Sequence, residues 1–212
     1  MIRVSATTLE SYRLFIEQDW MDESELLATI RGEFVPDRKV LLGQAFDAVL
    51  THPDRYRVSA GYQVGRDFFS DDTMVPALAL FDRRGVMQVK GTKTYGDVQV
   101  VAKADQLIGG TLIENKTTLS SFDADKYERS AQWRLMADLF EPLQITYHVF
   151  CLSDDDAGMI GLRSIETINF FPYAALTRDC QELIEKFHHY VQMRGLVPLL
   201  EQRYRDASLV NA

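Results

Sequence analysis

The chain has 212 residues, a net charge of -8 and a sequence pI of about 5.0. Its composition, 46% hydrophobic and 25% charged, is ordinary for a globular protein. The acidic balance counts against a protein that coats nucleic acid through its overall charge, because neutralising phosphates requires clustered Lys and Arg. It leaves room for a local basic surface and for carboxylates gathered around divalent metals.

No apolar run approaches the roughly 18 to 20 residues needed to cross a bilayer. The first residues lack the basic start and apolar stretch of a signal peptide. We therefore expect a cytoplasmic protein with no membrane partner. Cys151 and Cys180 lie far apart in the sequence, and one bridge between them is possible. They show neither CxxC spacing nor a disulfide framework, so we expect both to be reduced and buried.

The first third of the chain is predicted to be helical. Thr7 or Thr8 can cap a short helix that runs to Phe15. Residues 23–31 and 39–50 are the next two helix candidates, because their apolar positions recur among polar ones.

From about residue 74 the pattern changes to β-forming residues bounded by Gly and Asp. Gly109-Gly110 is a strong hairpin turn between two of these segments. The predicted strands are residues 75–81, 86–94, 98–107, 111–118, 145–152 and 159–170. The predicted helices among and after them are residues 123–140, 177–191 and a short segment after Pro198.

This order of elements predicts an α/β fold with three α/β/α layers and a mixed central sheet. No repeat and no Pro/Gly/Ser-rich linker divides the chain. We therefore predict one domain over residues 1–212, with a helical N-terminal part over residues 1–50 and an α/β core over residues 74–195.

One hairpin carries the residues that point to chemistry. Glu114 and Lys116 are two apart on the predicted strand after the Gly109-Gly110 turn, so their side chains share a face. Asp105 lies on the partner strand, and the hairpin can bring its carboxylate near that of Glu114.

Two neighbouring carboxylates repel each other and favour a cation between them. Magnesium commonly takes one or two protein carboxylates together with water and phosphate. Lys116 would then lie beside the metal, where it could position the attacking water or stabilise charge on a phosphate. Asp105, Glu114 and Lys116 therefore form a candidate catalytic centre for phosphodiester hydrolysis.

A second acid-and-lysine motif, Pro36-Asp37-Arg38-Lys39, lies between helical segments and has neither a hairpin nor a suitably placed upstream acid. We predict that it is a loop and the start of a helix. The Glu114 motif differs because a strand, a Gly-Gly turn and an upstream Asp accompany it.

The helix after the Lys116 strand carries Gln132. An Asp, then Glu-x-Lys after a hairpin, then a helix with Gln resembles the RecB-like and phage lambda-exonuclease-like branch of the PD-(D/E)xK nucleases. That branch commonly has Gln-x-x-x-Tyr, whereas the fifth position here is Met136, so only the Gln matches. The resemblance implies that Gln132 orients the lysine or contacts DNA.

The same branch often has Gly-x-x-x-His on an N-terminal helix, with the His as a metal ligand. Gly43 to Asp47 resembles this motif, with Asp47 in the His position. Magnesium prefers oxygen ligands, so a carboxylate can take this place. The resemblance implies metal binding by Asp105, Glu114, Asp47 and the backbone carbonyl of Asn115; an ordinary exposed helix Asp is the alternative for Asp47.

Taken together, the resemblance implies a restriction-endonuclease-like core and Mg²⁺- or Mn²⁺-dependent hydrolysis of DNA. Action on DNA ends, a phage or mobile-element origin, a recombination partner protein and a homo-oligomer are implied by the resemblance alone. Iron–sulfur members of the branch use four cysteines, so we expect no cluster here, and no other cofactor-binding motif is present.

Any DNA-binding surface must be local, and its candidate cations crowd the middle of the chain: Arg83, Arg84, Lys90, Lys93, Lys103, Lys116, Lys126, Arg129 and Arg134. A solvated mixed-charge face is the alternative reading of this group. Two other functions stay open. One is a nuclease-fold accessory module that binds nucleic acid or protein without cleavage, and the other is a structural or assembly protein whose hairpin is incidental.

Overall fold

In a computed structural model, which describes residues 1–18, 21–81, 84–155 and 157–202, the chain folds around a mixed β-sheet. The described strands are β1 (Ile2–Ser5), β2 (Arg57–Val58), β3 (Gly61–Val64), β4 (Asp67–Ser70), β5 (Val86–Tyr95), β6 (Val98–Ile108), β7 (Thr111–Thr118), β8 (Gln144–Asp154) and β9 (Met159–Phe170). The described helices are α1 (Ala6–Gln18), α2 (Glu23–Arg31), α3 (Arg38–Thr51), α4 (Pro53–Tyr56), α5 (Asp71–Leu80), α6 (Ala124–Arg129), α7 (Ala131–Phe140) and α8 (Leu176–Met193).

The nine described strands form one sheet in the order β1-β6-β7-β8-β9-β4-β3-β2, and β5 pairs with the other edge of β6. β1 and β6, β7 and β8, and β4 and β9 are parallel pairs, whereas the remaining pairs are antiparallel. The predicted mixed sheet is therefore confirmed.

Helices cover both faces of the sheet, and each face has its own hydrophobic core. The first core lies under α1, α2, α7 and α8 and includes the fully buried Leu9, Leu135 and Phe187. The second core lies under α3 and α5 and includes Phe46 and Met74. The predicted three-layer α/β/α fold is confirmed.

The central strand β8 supplies both cores. Ile145, Tyr147 and Val149 point to the first core, and Phe150 and Leu152 belong to the second. Such a strand reads as a nearly continuous apolar run because neither of its faces meets water.

The N-terminal part is not purely helical, which corrects the prediction for residues 1–50. Ile2 and Val4 are buried and alternate with Arg3 and Ser5 in β1, which pairs in parallel with β6. Helix α1 begins at once, and the Ser5 hydroxyl accepts the backbone N–H of Thr8 at 3.0 Å. The residue that caps α1 is thus Ser5 rather than Thr7 or Thr8. Strand β1 was not predicted because four residues are too few to show a clear two-residue period.

The strand predicted over residues 75–81 is wrong, because α5 occupies most of it. Ser70 caps this helix by accepting the N–H of Thr73, and Asp71 lies in its first turn. The strand was predicted from the β-forming residues between Val75 and Phe81, whereas Pro76 is unfavourable inside a strand as well as inside a helix. Burial of Met74 against the second core decides the conformation instead. Strands β1 to β4 also lie outside residues 74–195, where the sheet was expected.

The helix predicted over residues 123–140 is two helices, α6 and α7, which meet at Ser130. The Ser130 hydroxyl accepts the N–H of Gln132 at 3.1 Å and so caps α7. The predicted helices at residues 23–31, 39–50 and 177–191 are confirmed as α2, α3 and α8. Residues 197–202 are helical, and the rest of the segment predicted after Pro198 lies outside the described residues.

Cys151 and Cys180 are buried and form no disulfide, as predicted. Within the described ranges, no helix combines the length and apolar character needed to cross a membrane.

Helix α7 is tied to the sheet at its far end by Asp138, which is 4% exposed. Its carboxylate accepts hydrogen bonds from the hydroxyls of Tyr95 and Thr177, and Lys93 Nζ lies 3.1 Å from Oδ2. Burial raises the pKa of Asp138, but the hydrogen bonds from Thr177 and Tyr95 and the charge of Lys93 outweigh it, so that the pKa is lowered. The ionised carboxylate therefore joins α7 to β5 and α8.

Asp138→Asn should lower the free energy of unfolding by about 2 to 4 kcal/mol at neutral pH, because a buried charged acceptor is lost while its donors stay buried. Urea denaturation measures this change. The exposed Asp125 of α6 offers a matched control, since Asp125→Asn should shift the free energy by less than about 0.5 kcal/mol. Equal effects of the two substitutions would contradict the anchoring role.

Candidate active site

The hairpin between β6 and β7 forms as the sequence predicts. Gly109 and Gly110 have φ of 55° and 83°, in the left-handed region that a tight hairpin turn requires. The strands pair through Ile108 with Thr111, and the ladder ends where Gln106 meets Ile113. One step further along this register places Asp105 across from Glu114.

The candidate site lies at a fork in the sheet. Along one edge of β6, Val101 is the last residue paired with β1 and Gln106 is the first paired with β7. At this fork, carboxylate side chains replace strand carbonyls as the acceptors of backbone N–H groups. The N–H of Asp105 donates to Glu114 Oε1 at 3.1 Å, and the N–H of Asn115 donates to Asp105 Oδ2 at 2.8 Å. The two acidic side chains are thereby held together.

A kink in the neighbouring strand β5 lies beside the fork. Gln88 stands at the β5 position facing Asp105 and has φ of 52°, which is uncommon for a residue other than glycine. Met87 packs against the second core and Val89 against the first, so β5 changes the face it presents across Gln88. Such local distortion is frequent where a strand must redirect a functional side chain.

Lys116 joins the hairpin to α7. Its Nζ lies 2.9 Å from Glu114 Oε2 and 3.1 Å from Gln132 Oε1, and it faces the Tyr147 ring at 5.1 Å from the centroid. The structure therefore brings together all four predicted catalytic side chains: Asp105, Glu114, Lys116 and Gln132.

Burial sets the electrostatics of the pair. Glu114 is 3% exposed, and burial, aided by the charge of Asp105, raises its pKa to about 7 although Lys116 opposes the shift. Burial lowers the pKa of Lys116, but the charge and hydrogen bond of Glu114 outweigh it, so that the pKa is raised. The ammonium therefore stays charged, whereas Glu114 is poised to gain or lose a proton near neutrality.

Asp47 approaches this site from α3. A Cβ on Gly43 would lie 2.9 Å from Thr117 Oγ1, so glycine lets this turn of α3 lie close against β7. Asp47 follows one helical turn later and is half-buried. Burial and the charge of Asp105 raise the pKa of Asp47, whereas Lys103 lowers it. The negative charge of Asp105 therefore acts on Asp47, but among the described residues Asp47 does not join Asp105 and Glu114 in a group of three side chains that could hold a metal ion.

The donor set fits a magnesium ion. Asp105 and Glu114 adjoin, and magnesium needs only one or two carboxylates because water and phosphate complete its shell. Asp105 Oδ1 accepts no hydrogen bond from the described residues. Among those same residues, no three His, Cys, Asp or Glu side chains come close enough to form a ready-made cage. Asp105 and Glu114 would hold Mg²⁺ together with water and phosphate.

Gln132 lines two cavities that are also lined by basic side chains from the predicted DNA-binding surface. One measures about 390 Å³ and contains Lys90 and Lys103 together with Arg3. The other measures about 310 Å³ and contains Lys116, Lys126 and Arg129. Two other candidates for the DNA-binding surface make contacts within the fold: Lys93 binds Asp138, and Arg134 donates to the carbonyl of Glu128. Arg83, a further candidate, lies outside the described residues.

The motif at residues 36–39 is structural, as predicted. Asp37 caps α3 by accepting the N–H of Val40 at 2.9 Å. Arg38 donates to both carboxylate oxygens of Asp154 and also pairs with Asp67 at 2.7 Å.

Two neighbours of the site were missed by sequence reasoning, Tyr147 and Glu10. Glu10 Oε2 accepts the N–H of Ala131, the first residue of α7, at 2.6 Å. Arg13 donates to both Glu10 oxygens, at 3.1 and 2.8 Å. The spacing of Glu10 and Arg13 predicts a pair within a helix, but nothing local reveals that the pair holds the helix that carries Gln132.

No family model matches the chain, and no curated protein matches it. Nine chains of known structure do resemble it. LHK-Exo, an alkaline exonuclease from Laribacter hongkongensis solved in complex with dAMP, is 12% identical and gives a TM-score of 0.50. The alignment covers 98% of this chain and 94% of LHK-Exo.

Two further structures are similar with lower TM-scores. A putative exonuclease from Eubacterium rectale is 10% identical, covers 89% of this chain and 79% of its own, and gives a TM-score of 0.49. A phage related exonuclease from Haemophilus somnus 129PT is 11% identical, with coverages of 87% and 91% and a TM-score of 0.43.

At this identity the likeness to LHK-Exo shows the fold. The chain has the fold of LHK-Exo, and this is the kind of α/β fold that the resemblance of the Asp105 to Gln132 segment implies. The restriction-endonuclease-like core is likewise confirmed by the mixed sheet and its two helical layers.

Glu10→Ala should lower the free energy of unfolding by about 2 to 4 kcal/mol, because it leaves the buried Arg13 short of a partner and the first turn of α7 without an acceptor. Urea denaturation measures the loss. Glu17 is the matched control, since it binds the same Arg13 but is 51% exposed, against 18% for Glu10. Glu17→Ala should cost no more than about 1 kcal/mol; a larger loss than that of Glu10→Ala would contradict this account.

The raised pKa of Glu114 predicts a pH dependence of stability without metal. Its pKa is about 7 in the folded chain and about 4.3 in an unfolded one. The unfolded chain therefore loses this proton first, and in EDTA stability should fall as pH rises between those values, by about 1.4 kcal/mol per unit of pKa difference. Glu114→Gln should flatten that slope in denaturation curves from pH 4 to 8, and an unchanged slope would exclude Glu114 as its source.

Proposed function

We propose that the protein is a metal-dependent nuclease that hydrolyses phosphodiester bonds of DNA. The observation that carries this proposal is the Lys116 ammonium, held by Glu114 and Gln132 beside a second carboxylate, Asp105. A packing role alone does not account for a buried carboxylate with a strongly raised pKa next to another acid.

Each side chain has a role in the proposed mechanism. Asp105 and Glu114, with Asp47 and the Asn115 carbonyl, would hold Mg²⁺ or Mn²⁺, which when bound polarises the phosphate and lowers the pKa of a water ligand. The Lys116 ammonium donates two of its three hydrogen bonds to Glu114 and Gln132. Its third donor can bind the attacking water or the phosphate oxygen on which negative charge develops.

Gln132 orients the lysine in this scheme. Its Oε1 accepts from Nζ, so it fixes the ammonium without neutralising it. Glu114 supplies the opposing charge, which keeps Lys116 protonated at neutral pH. An ammonium that is charged and fixed before substrate arrives has little reorganisation left to undergo during the reaction.

We further propose that DNA ends are the substrate and that the protein acts in phage or mobile-element DNA processing in the cytoplasm. The sequence resemblance and the likeness to LHK-Exo, an exonuclease solved with dAMP, support this choice. A recombination partner protein and a homo-oligomer belong to the same proposal.

The decisive experiment incubates the purified protein with linear and circular DNA, single- and double-stranded, and with RNA, in Mg²⁺, Mn²⁺ or EDTA. We expect metal-dependent loss of DNA, confined to linear forms if the enzyme attacks ends. Lys116→Ala should lower the rate about 100-fold or more, because charge stabilisation in the transition state is lost. Lys39→Ala, in the exposed second motif, is the matched control and should retain wild-type activity.

Metal binding has its own readout in this experiment. A metal that binds only the folded chain must stabilise it, so Mg²⁺ or Mn²⁺ should raise the melting temperature of the wild type but not of Asp105→Ala. Nucleic acid left intact in every lane would overturn the nuclease. DNA binding without cleavage and unaffected by Asp105→Ala would then indicate an accessory module.

A further inference from the structure

Tyr147 carries a hydroxyl that the packing does not explain. The residue is 1% exposed and stands next to Glu114 in the pairing of β8 with β7. Tyr127 and Phe170 hold its ring edge-on, with centroids 6.2 and 5.1 Å away. The hydroxyl is buried and has no hydrogen-bond partner among the described residues.

An unpartnered buried hydroxyl destabilises a folded protein, because it loses its hydrogen bonds to water and gains none. Phenylalanine would fill the same space between Tyr127 and Phe170 without that loss. The hydroxyl of Tyr147 therefore calls for a partner beyond the described residues.

A cavity of about 310 Å³ lies beside this residue, and Tyr147, Lys116 and Gln132 are among the residues that line it. Lys126 and Arg129 lie on its exposed side, and neither forms an ion pair with the described residues. These groups favour an anion of modest size.

The acidic residues of the cavity do not cancel this preference. Glu10 is already bound by Arg13, and Asp123 accepts the N–H of Lys126 at 3.3 Å as the cap of α6. Burial, followed by the charges of Glu114, Glu10 and Asp105, raises the pKa of Tyr147 well above its usual value. The hydroxyl therefore keeps its proton and is available as a donor.

We propose that Tyr147 is a further substrate-binding residue, whose hydroxyl donates a hydrogen bond to a phosphate oxygen of the nucleic-acid strand in the cavity between Lys116, Lys126 and Arg129. The proposal rests on the proposed nuclease function and adds a specific donor to it. The phosphate occupies the side of Lys116 that faces the aromatic ring, and Lys126 and Arg129 neutralise it from the solvent side.

Tyr147→Phe separates this role from a structural one, because the two predict opposite results. The variant should melt at the same or a higher temperature than wild type, since a buried unpartnered group is removed. Its kcat/KM on the DNA that the wild type degrades should fall about 10- to 100-fold, the effect of losing one hydrogen bond to a charged acceptor. Tyr12→Phe, which removes a hydroxyl from another buried tyrosine of the first core, should leave kcat/KM unchanged.

A binding measurement in EDTA tests the same contact without catalysis. Inorganic phosphate and a deoxynucleoside monophosphate should raise the melting temperature of the wild type, and more so than that of Tyr147→Phe. The corresponding deoxynucleoside, which lacks the phosphate, should not. Equal shifts in both proteins, no shift in the wild type, or an equal shift from the deoxynucleoside would overturn the phosphate contact.

These outcomes distinguish failure of this inference from failure of the proposed function. An active Tyr147→Phe with wild-type kcat/KM would overturn the role of Tyr147 and leave the nuclease standing. A lower melting temperature for Tyr147→Phe would also overturn it, because the hydroxyl would then serve the fold. An inactive wild type whose phosphate-induced shift depends on Tyr147 would overturn the nuclease and support the phosphate site.

Discussion

Glu114 is almost completely buried at the fork where β6 leaves β1 and joins β7. A carboxylate there is costly to ionise unless positive charge lies close by. Lys116 supplies one such charge from the same face of the same strand. A divalent ion between Glu114 and Asp105 would supply a second positive charge. The rest of the site holds these positive charges at fixed positions around the Glu114 carboxylate.

Helix α7 provides much of that geometry because its position is fixed at both ends. Ser130 and Glu10 accept the first backbone donors of α7, and Asp138 ties the last turns to β5 and α8. Near the Asp138 end, a Cβ on Gly91 of β5 would clash with Leu139 Cδ2, so the helix lies directly on the sheet. Gln132 therefore reaches Lys116 from a rigid element, which is how precise sites are generally supported.

The parts of the site that could be predicted are those encoded locally. The two-residue period of a strand places Glu114 beside Lys116, and a Gly-Gly turn returns the chain so that Asp105 meets them. The pattern of apolar residues along the chain also predicted the three layers and most of the helices. Where the sequence misled, local preference opposed tertiary packing: the β-forming residues between Val75 and Phe81 indicated a strand, but packing against the second core holds most of this segment as α5.

The parts that could not be predicted depend on contacts between distant segments. Glu10 reaches Ala131 across 121 positions, and Tyr147 comes beside Glu114 only because β8 pairs in parallel with β7. Neither residue belongs to a motif that one sequence can reveal. Their roles become visible only when the sheet order is known, since a parallel pair needs a crossover whose register no local pattern fixes.

Two buried polar groups near the hairpin lack partners in the described part of the chain, Asn115 Nδ2 and the Tyr147 hydroxyl. Native proteins contain few such groups, because each lowers stability. A scaffold whose hairpin merely packed would gain by replacing them with apolar side chains of similar size. Their placement on β7 and β8, on and beside the strand that carries Glu114 and Lys116, fits a region shaped by what it binds. It therefore favours a functional centre over an incidental hairpin.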